Sequence, residues 1–577
     1  MTIFAGIVAR APSVVVPDAV RAGLKRELSR FRNEVVTEVA GKGFHFVKVD
    51  IGAFGSAGIL DDERQLALLA GEPLLVDEHR GSPASREEDL ASLQHAVATG
   101  DWSVPDRASG TFCAAFFDKA SGDLTLLADH FGVRPIYYWV GDQYAVFSTA
   151  LRVLEALPIV PKRADTAGLM EYAAFHFSLA DRTPFADIKT IREAEAITIT
   201  TQGIVANNYR WWPNLQGFSG SLQEGTELAH AEFENAVRRR LGQDRKVAAF
   251  LSGGLDSRAI VGCLSEQRIT VHTANCSRPN TQDEVFGQMI AEALGTRHHQ
   301  IGQRPNAVAD WLAAVATSDL APEHPKMIWG GDGGSVGLGH VYLTEKLMAL
   351  MREGRTEAAA EQFLCHNRLG LTLGALHPEE AARLAELPKV GVVAELERLA
   401  ECPDPGRRMH LFLMFNDQRR HMAEHFENID LKRIELQLPF FDTRFMAVIL
   451  SLPIDSCLYH RFYLEWLGHF PPAVTSVPWQ AYPGHLPCPI PSPPGVRLQW
   501  DAETGDAAKR LRREDVRRYW SLARAGGRVS DGLINRRKLI GAVLLTYFGI
   551  QDYSYALQFA SSVLLYANQC QDIDGPK

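Results

Sequence analysis

Apolar and polar positions change their rhythm once along this chain. From Ile3 to about Tyr209, apolar residues come in short runs or alternate with polar ones, and Gly or Asp punctuates them. Thr111 to Phe117, Leu124 to Ala128, Ile136 to Trp139 and Ala145 to Ser148 read as strands on that pattern. Ser121-Gly122-Asp123 and Val140-Gly141-Asp142 supply hairpin turns, and Ala196 to Thr200 with Ile204 to Ala206 makes another hairpin around Thr201-Gln202-Gly203. The expectation is an α+β domain built on antiparallel sheet.

Tyr209 to Ser221 has the Pro, Gly and Ser content of a connection, and Ser221 is placed to cap a helix beginning near Leu222. Trp211 and Trp212 make that connection a buried strap rather than a tether. Beyond it, Val247 to Leu251, Thr270 to Ala274 and Lys326 to Trp329 read as buried strands, with helical periodicity at Asp283 to Gly295 and Ala307 to Ser318. That alternation predicts a doubly wound parallel sheet. From Leu343 onward helical patterns dominate, interrupted by a Pro-rich run from Pro483 to Pro494 that reads as a surface loop or a wall of the site. The expected division is a domain over 1–210, a linker over 211–228 and a second domain over 229–577.

A chain of 577 residues exceeds one core, so several domains are required. With 46% hydrophobic and 22% charged residues, it resembles neither a disordered nor a membrane-embedded chain. A net charge of −9 argues against a nucleic-acid surface. No stretch is long and apolar enough for a membrane anchor, and the start, broken by Arg10, reads as a strand rather than a signal peptide. Eight cysteines without paired spacing fit a reducing, cytoplasmic setting and argue against zinc. His298-His299 and the pair His421 and His425 are the metal-like clusters visible in the sequence, and they lack a third ligand there.

The most informative stretch is Val247-Ala-Ala-Phe-Leu-Ser-Gly-Gly-Leu-Asp-Ser-Arg258. A buried strand runs into two glycines and then into a helix whose apolar face is Ala259, Ile260, Val261, Cys263 and Leu264. Free backbone N–H groups at such a helix start favour phosphate. Asp256 adds a carboxylate that a bare anion site would not tolerate unless Mg²⁺ arrived with the phosphates. The hexad Ser-Gly-Gly-Leu-Asp-Ser resembles the pyrophosphate-binding loop of ATP pyrophosphatases and is not a Walker loop, since no Gly-Lys-Ser/Thr closes it.

With this loop, four further segments resemble the asparagine synthetase superfamily. These are Ala128-Asp-His-Phe-Gly-Val-Arg-Pro-Ile-Tyr-Tyr138, Asp283 to His299, Gly330-Gly-Asp-Gly-Gly334 and Leu438-Pro-Phe-Phe-Asp442. The resemblance implies an N-terminal Ntn-hydrolase-like α+β domain of the type 2 glutamine amidotransferase kind. It also implies a C-terminal α/β synthetase domain with a parallel sheet and additional helices. The family's N-terminal cysteine is missing: position 2 is Thr2, the family's Cys-Gly-Ile appears as Ala5-Gly6-Ile7, and the first cysteine is Cys113, inside an expected strand. The amidotransferase domain is therefore read as degenerate, as in β-lactam synthetase and the lasso-peptide cyclases.

The implied activity is an ATP-dependent, AMP-forming ligation that closes a lactam, the peptide macrolactam being preferred. An ammonia-dependent asparagine-type synthetase and a non-catalytic nucleotide- or partner-binding descendant are the alternatives. The implied cofactors are ATP and Mg²⁺. The implied partners are a peptide or small molecule bearing a carboxylate and an amine, and a precursor-processing protease, with no nucleic acid and no membrane. Nucleotide contacts fall to Leu251, Ser252, Gly253, Gly254, Leu255, Asp256, Ser257, Ala274 and Gly331, with Asp256 at the metal. Asp332 is the candidate base for the amine. The acids that follow this motif in the family are Ser335 and Val336 here, and the late pyrophosphate lysine is absent from Ser476 to Tyr482. Arg258, Lys326 and Arg461 are the cations left to replace it.

Overall fold

Two six-stranded antiparallel sheets stack face to face in the first part of the chain. One runs in the order Lys189–Thr190, Tyr137–Val140, Tyr144–Ser148, Thr2–Ala9, Phe44–Asp50 and Val36–Ala40. The other runs Ile204–Asn208, Glu195–Ile199, Leu124–Ala128, Phe112–Asp118, Gln65–Gly71 and Ile59–Asp61. This is a computed structural model, and it describes all residues except 1, 32–33, 76–83, 305, 340–341, 366–372, 483, 502–504 and 574–577. Pro483, where the Pro-rich run was expected to begin, thus lies outside the described residues.

Alternation assigns each strand's side chains to two cores. Phe4 and Val8 point into the space between the sheets with Phe46, Leu68, Cys113 and Phe117. Ile3, Ala5 and Ile7 point the other way, under the helix Asp18–Leu28 with its Val20 and Leu24. Ala67 and Leu69 meet Leu90 and Leu93 of the helix Arg86–Thr99 in the same manner. Both faces of each sheet are covered, which is why these strands read as near-continuous apolar runs. Gly6 is required by packing, because a Cβ there would sit 2.0 Å from the Phe46 ring.

The connection is a strap, as its tryptophans indicate. Trp212 is fully buried, with its ring centroid 4.8 Å from that of Phe415. The helix Leu222–Leu241 begins within the expected linker, held by a capping box of Ser221 and Glu224.

The second region carries a five-stranded parallel sheet in the order Arg297–Gln300, Thr270–Asn275, Lys246–Phe250, Met327–Trp329 and Glu435–Gln437. The chain starts at the central strand, moves outward on one side and then returns to the other. The reversal falls between Lys246–Phe250 and Met327–Trp329, and a ligand crevice belongs at the carboxyl ends of those two strands. Glu435–Gln437 has no strand-length signal in the sequence, since three residues carry almost no periodicity.

The two regions are joined by buried charge and by backbone. Arg134, in the segment that resembles the amidotransferase signature, reaches Glu435 of the parallel sheet at 2.6 Å, with both side chains almost fully buried. Asp129 of the same segment spends both oxygens on the backbone N–H groups of Phe112, Phe131 and Gly132. At the far end of the chain, Asp572–Ile573 pairs in parallel with Arg163–Ala164. Among the described residues no helix is long and apolar enough to cross a membrane.

Candidate functional site

The carboxyl ends of the two central strands deliver the two glycine motifs to one another. After Lys246–Phe250, the chain turns through Ser252, Gly253 and Gly254 into the helix Leu255–Glu266. Hydroxyls tie the turn: Ser252 N–H donates to Ser257 Oγ at 2.9 Å, and Gly254 N–H donates to Ser252 Oγ at 3.2 Å. Gly253 must be glycine, because a Cβ would lie 2.5 Å from the carbonyl oxygen of Gln282. Its N–H donates to Asp283 Oδ1 at 3.1 Å, and the Gln480 amide donates to the same oxygen at 2.5 Å.

The second motif, Gly330 to Gly334, presses directly on the first. A Cβ on Gly331 would lie 2.9 Å from Ser257 N, and one on Gly334 would lie 2.5 Å from Asp256 Cγ. These glycines are bare so that the Asp256 carboxylate can lie against backbone. Tyr463 O–H donates to Asp256 at 2.7 Å, and the Ser335 hydroxyl lies 3.1 Å from both of its oxygens. Burial pushes the Asp256 carboxyl up to about 6, and the negative charge of Asp332 adds to the rise against the hydrogen bonds of Tyr463 and Ser335. Asp332 stays open to solvent at the mouth, where the crowding of protein around it also raises its carboxyl.

Between the motifs opens a cavity of about 730 Å³. Leu251, Ser252, Asp256, Ser257, Ala274, Gly331 and Asp332 line it, and Gly253, Gly254 and Leu255 form the turn behind them. Its charged lining is of one sign: Asp256, Asp283, Asp332 and Asp417, with no Lys or Arg among its lining residues.

Two expected site residues lie elsewhere. Lys326 precedes its strand, at the opposite end of the sheet from the crevice, and its ammonium donates to the Ile51 carbonyl at 2.5 Å. Arg258 is fully buried behind the turn, and its guanidinium donates to the carbonyls of Gly253, Gly254, Val474, Val477 and Pro478. It staples the turn to the 474–478 segment and has no donor left for a phosphate; burial lowers it to about 10. Arg461 is also outside the cavity, 3.7 Å from Glu345.

Asp417 and Tyr463 enter the site without warning, and His421, singled out in the sequence only as half of a histidine pair, lines the cavity. Tyr463 stands 207 residues from Asp256 in the chain, on a helix whose spacing reads as ordinary core. Asp283 had a signal, since it opens one of the family-like segments. His425 is buried, and burial lowers it to about 3; among the described residues it forms no group of three ligand-type side chains with His421. A different ligand-type group does form among the described residues: His230, Glu234 and Glu266 come within 4.8 Å of one another, at the end of the helix Leu255–Glu266 remote from the turn.

In the first region, Ala5, which the resemblance sets at the place of the family's nucleophile, is fully buried inside its strand. Cys113 lies in the core between the sheets, where burial pushes its thiol far up. Neither position offers a reactive atom to solvent.

Comparison with known proteins follows this division. A family model described as a glutamine amidotransferase domain matches residues 79–212, and one described as asparagine synthase matches residues 229–322. "Asparagine synthetase [glutamine-hydrolyzing] 3" of Bacillus subtilis (strain 168) is 30% identical over 267 residues, 42% of this chain and 42% of that protein. The "Asparagine synthetase [glutamine-hydrolyzing]" of Gallus gallus is 24% identical over 374 residues, 60% of this chain and 56% of that protein. The chain thus spans about half the length of the curated relatives it matches. Among solved structures, "Structure of the allosteric regulatory enzyme of purine biosynthesis" covers 58% of this chain and 76% of that one at 10% identity, with a TM-score of 0.24. At that score the fold rests on the strand order itself.

Proposed function

We propose that this chain, which belongs to the asparagine synthetase superfamily, is an ATP-dependent carbon–nitrogen ligase that closes a lactam, and that its substrate is a peptide. A carboxylate oxygen bonds to the α-phosphorus of ATP as pyrophosphate leaves; an amine then bonds to the acyl carbon as the bond to AMP breaks. One observation carries the reading: a phosphate-type glycine turn opens onto four aspartates, with no cationic side chain among the described residues that line the cavity. Like charges at such spacing repel a triphosphate and a carboxylate, so the donor set suits a nucleotide that arrives with divalent cations.

Asp256 fits Mg²⁺ by its chemistry, a carboxylate with hard oxygen donors beside the space that Gly334 leaves open, and Asp332 faces it from the second motif. Asp256 would hold the metal, which when bound would neutralise phosphate oxygens and stabilise the charge on departing pyrophosphate. The turn from Ser252 to Ser257 meets the phosphates, Ala274 walls the adenine, and the backbone of Gly331 meets the ribose. Asp332, with its raised carboxyl and its place at the mouth, takes the proton that the attacking amine releases. Arg258 acts as a positioning residue by holding the turn in shape. A protease that frees the peptide's amine is the partner this chemistry implies, and the cytoplasm, with its ATP and magnesium, is the compartment.

ATP–pyrophosphate exchange and amide formation, measured separately, test the assignment. Asp332→Ala should keep exchange and slow amide formation; equal loss in both removes Asp332 as base. A second reading has support in the relatives' names, both of which are asparagine synthetases. Amidation of aspartate by ammonium separates it, because a lactam-forming enzyme ignores both additions. Absence of both ATP affinity and pyrophosphate release would favour a non-catalytic descendant.

A further inference from the structure

A second cavity, of about 720 Å³, adjoins the nucleotide cavity, and the two share the side chain of His421. The wall between them is the π-helical turn Leu413–Gln418, whose Asp417 and Gln418 line the first cavity and whose Phe415 and Asn416 line the second. A π turn puts successive side chains on faces that an α-helix would not, and such turns gather at functional sites. From His421 the second cavity follows the helix Arg419–Glu427 to Glu427 and Asn428, which also line a third cavity of about 220 Å³. At the helical rise, Phe415 to Asn428 spans about 20 Å, which an extended chain covers in about six residues. Cavities strung along one helix suit a polymer better than a compact amino acid.

Of the charged side chains other than Arg419 that line this second cavity, Arg182 and Glu427 are held inside the protein, while Glu424, Asp515 and Arg518 lie exposed to solvent. Arg182 is paired with Glu171. Glu427 accepts from Tyr137 O–H at 2.6 Å and from Leu151 N–H at 3.0 Å. Arg419 lines the cavity, yet its guanidinium makes no hydrogen bond or ion pair with any described residue. The acids whose charge it feels, Glu193 and Glu395, are already held by Arg398 and Arg192. A guanidinium stays charged in such a place, and a partly buried cation without a partner is relieved by a ligand anion.

We propose that the second cavity seats the body of a peptide substrate, with Arg419 gripping a carboxylate of that peptide while the reacting carboxylate lies in the first cavity. The assignment rests on the ligase reading for its choice of ligand. The gripped carboxylate belongs to an acidic side chain or to the peptide's C terminus, and peptides with free and amidated ends tell these apart.

The test is a selection on the full chain, with a non-hydrolysable ATP analogue and Mg²⁺ present, from random peptides about twelve residues long, twice the estimated span. The enriched peptides are then measured by fluorescence anisotropy against the wild type, Arg419→Gln and Ala423→Trp, which fills the cavity. Binding about thirtyfold or more weaker to both variants is expected, with binding of the nucleotide analogue unchanged. No enrichment, or equal binding to wild type and both variants, overturns the assignment. Pyrophosphate release keeps the two readings apart. Peptides that bind through Arg419 yet release none leave this site standing and sink the ligase reading. Peptides that release pyrophosphate but bind Arg419→Gln as tightly as wild type do the reverse.

Discussion

Buried charge is handled in opposite ways in the two halves of this molecule. In the antiparallel half buried charges have internal answers: Arg134 meets Glu435, Asp129 meets three backbone N–H groups, and the buried Lys48 donates to the carbonyls of Gly58 and Leu69. In the parallel half four aspartates converge on one cavity that, among the described residues, no lysine or arginine lines. Satisfied charges hold architecture together, whereas Asp256, Asp283 and Asp332, with no lysine or arginine among the described lining residues, leave a field that a ligand completes. The contrast puts the need for a ligand in the parallel half.

The largest expected effect is removal of divalent metal. With EDTA, calorimetry should detect no ATP binding, and Mg²⁺ should restore it; tight binding of ATP without metal would break the contrast. Next comes Asp256→Asn, expected to lower pyrophosphate release by about 10²–10³-fold. Asp256 also sets a pH dependence. Its carboxyl, raised to about 6, must be ionised to hold metal, so MgATP affinity should fall as pH drops through that value. Stability runs the other way. A carboxyl raised in the folded state favours folding below its unfolded value near 4, and that contribution is lost as pH rises through about 6. Asp256→Asn should therefore stabilise the metal-free chain by about 1–2 kcal/mol at pH 7.5 and leave it little changed at pH 4, as read by denaturant titration.

Arg134→Ala probes the satisfied half. It strands Glu435 in the interior and should cost about 3–5 kcal/mol of unfolding free energy in guanidinium chloride. A loss below about 1 kcal/mol would mean that the pair is not the buried anchor its geometry describes. Smallest of all is Thr2→Ala, expected to leave turnover unchanged, since Thr2 is out of register with the family's nucleophile. A drop in glutamine-dependent turnover would return chemistry to the first half.

Much of this was readable before any coordinates. The strands Leu124–Ala128 and Lys246–Phe250 announce themselves within a residue, because a buried strand needs an apolar run and little else. The turn at Ser252 and the glycines at Gly330 to Gly334 are equally legible, since close backbone approach excludes side chains and leaves glycine as the mark. The strand Glu435–Gln437 was not legible, and neither were the arrivals of Tyr463 at Asp256 and of Asp417 at the cavity. Arg258 and Lys326 misled for the same reason: residue type announces a charge but not the direction in which it points.

The order of residues alone determined where the backbone must turn tightly, which runs must be buried, and that the nucleophilic thiol of the family was gone. These are local properties, set by φ/ψ freedom, periodicity and the presence or absence of one atom. Tertiary structure decided which charges meet. It spent Arg258 and Lys326 on carbonyls, gathered four aspartates from distant segments and left Arg419 without a partner among the described residues. Electrostatic energy depends on distance through space, and distance along the chain does not report it.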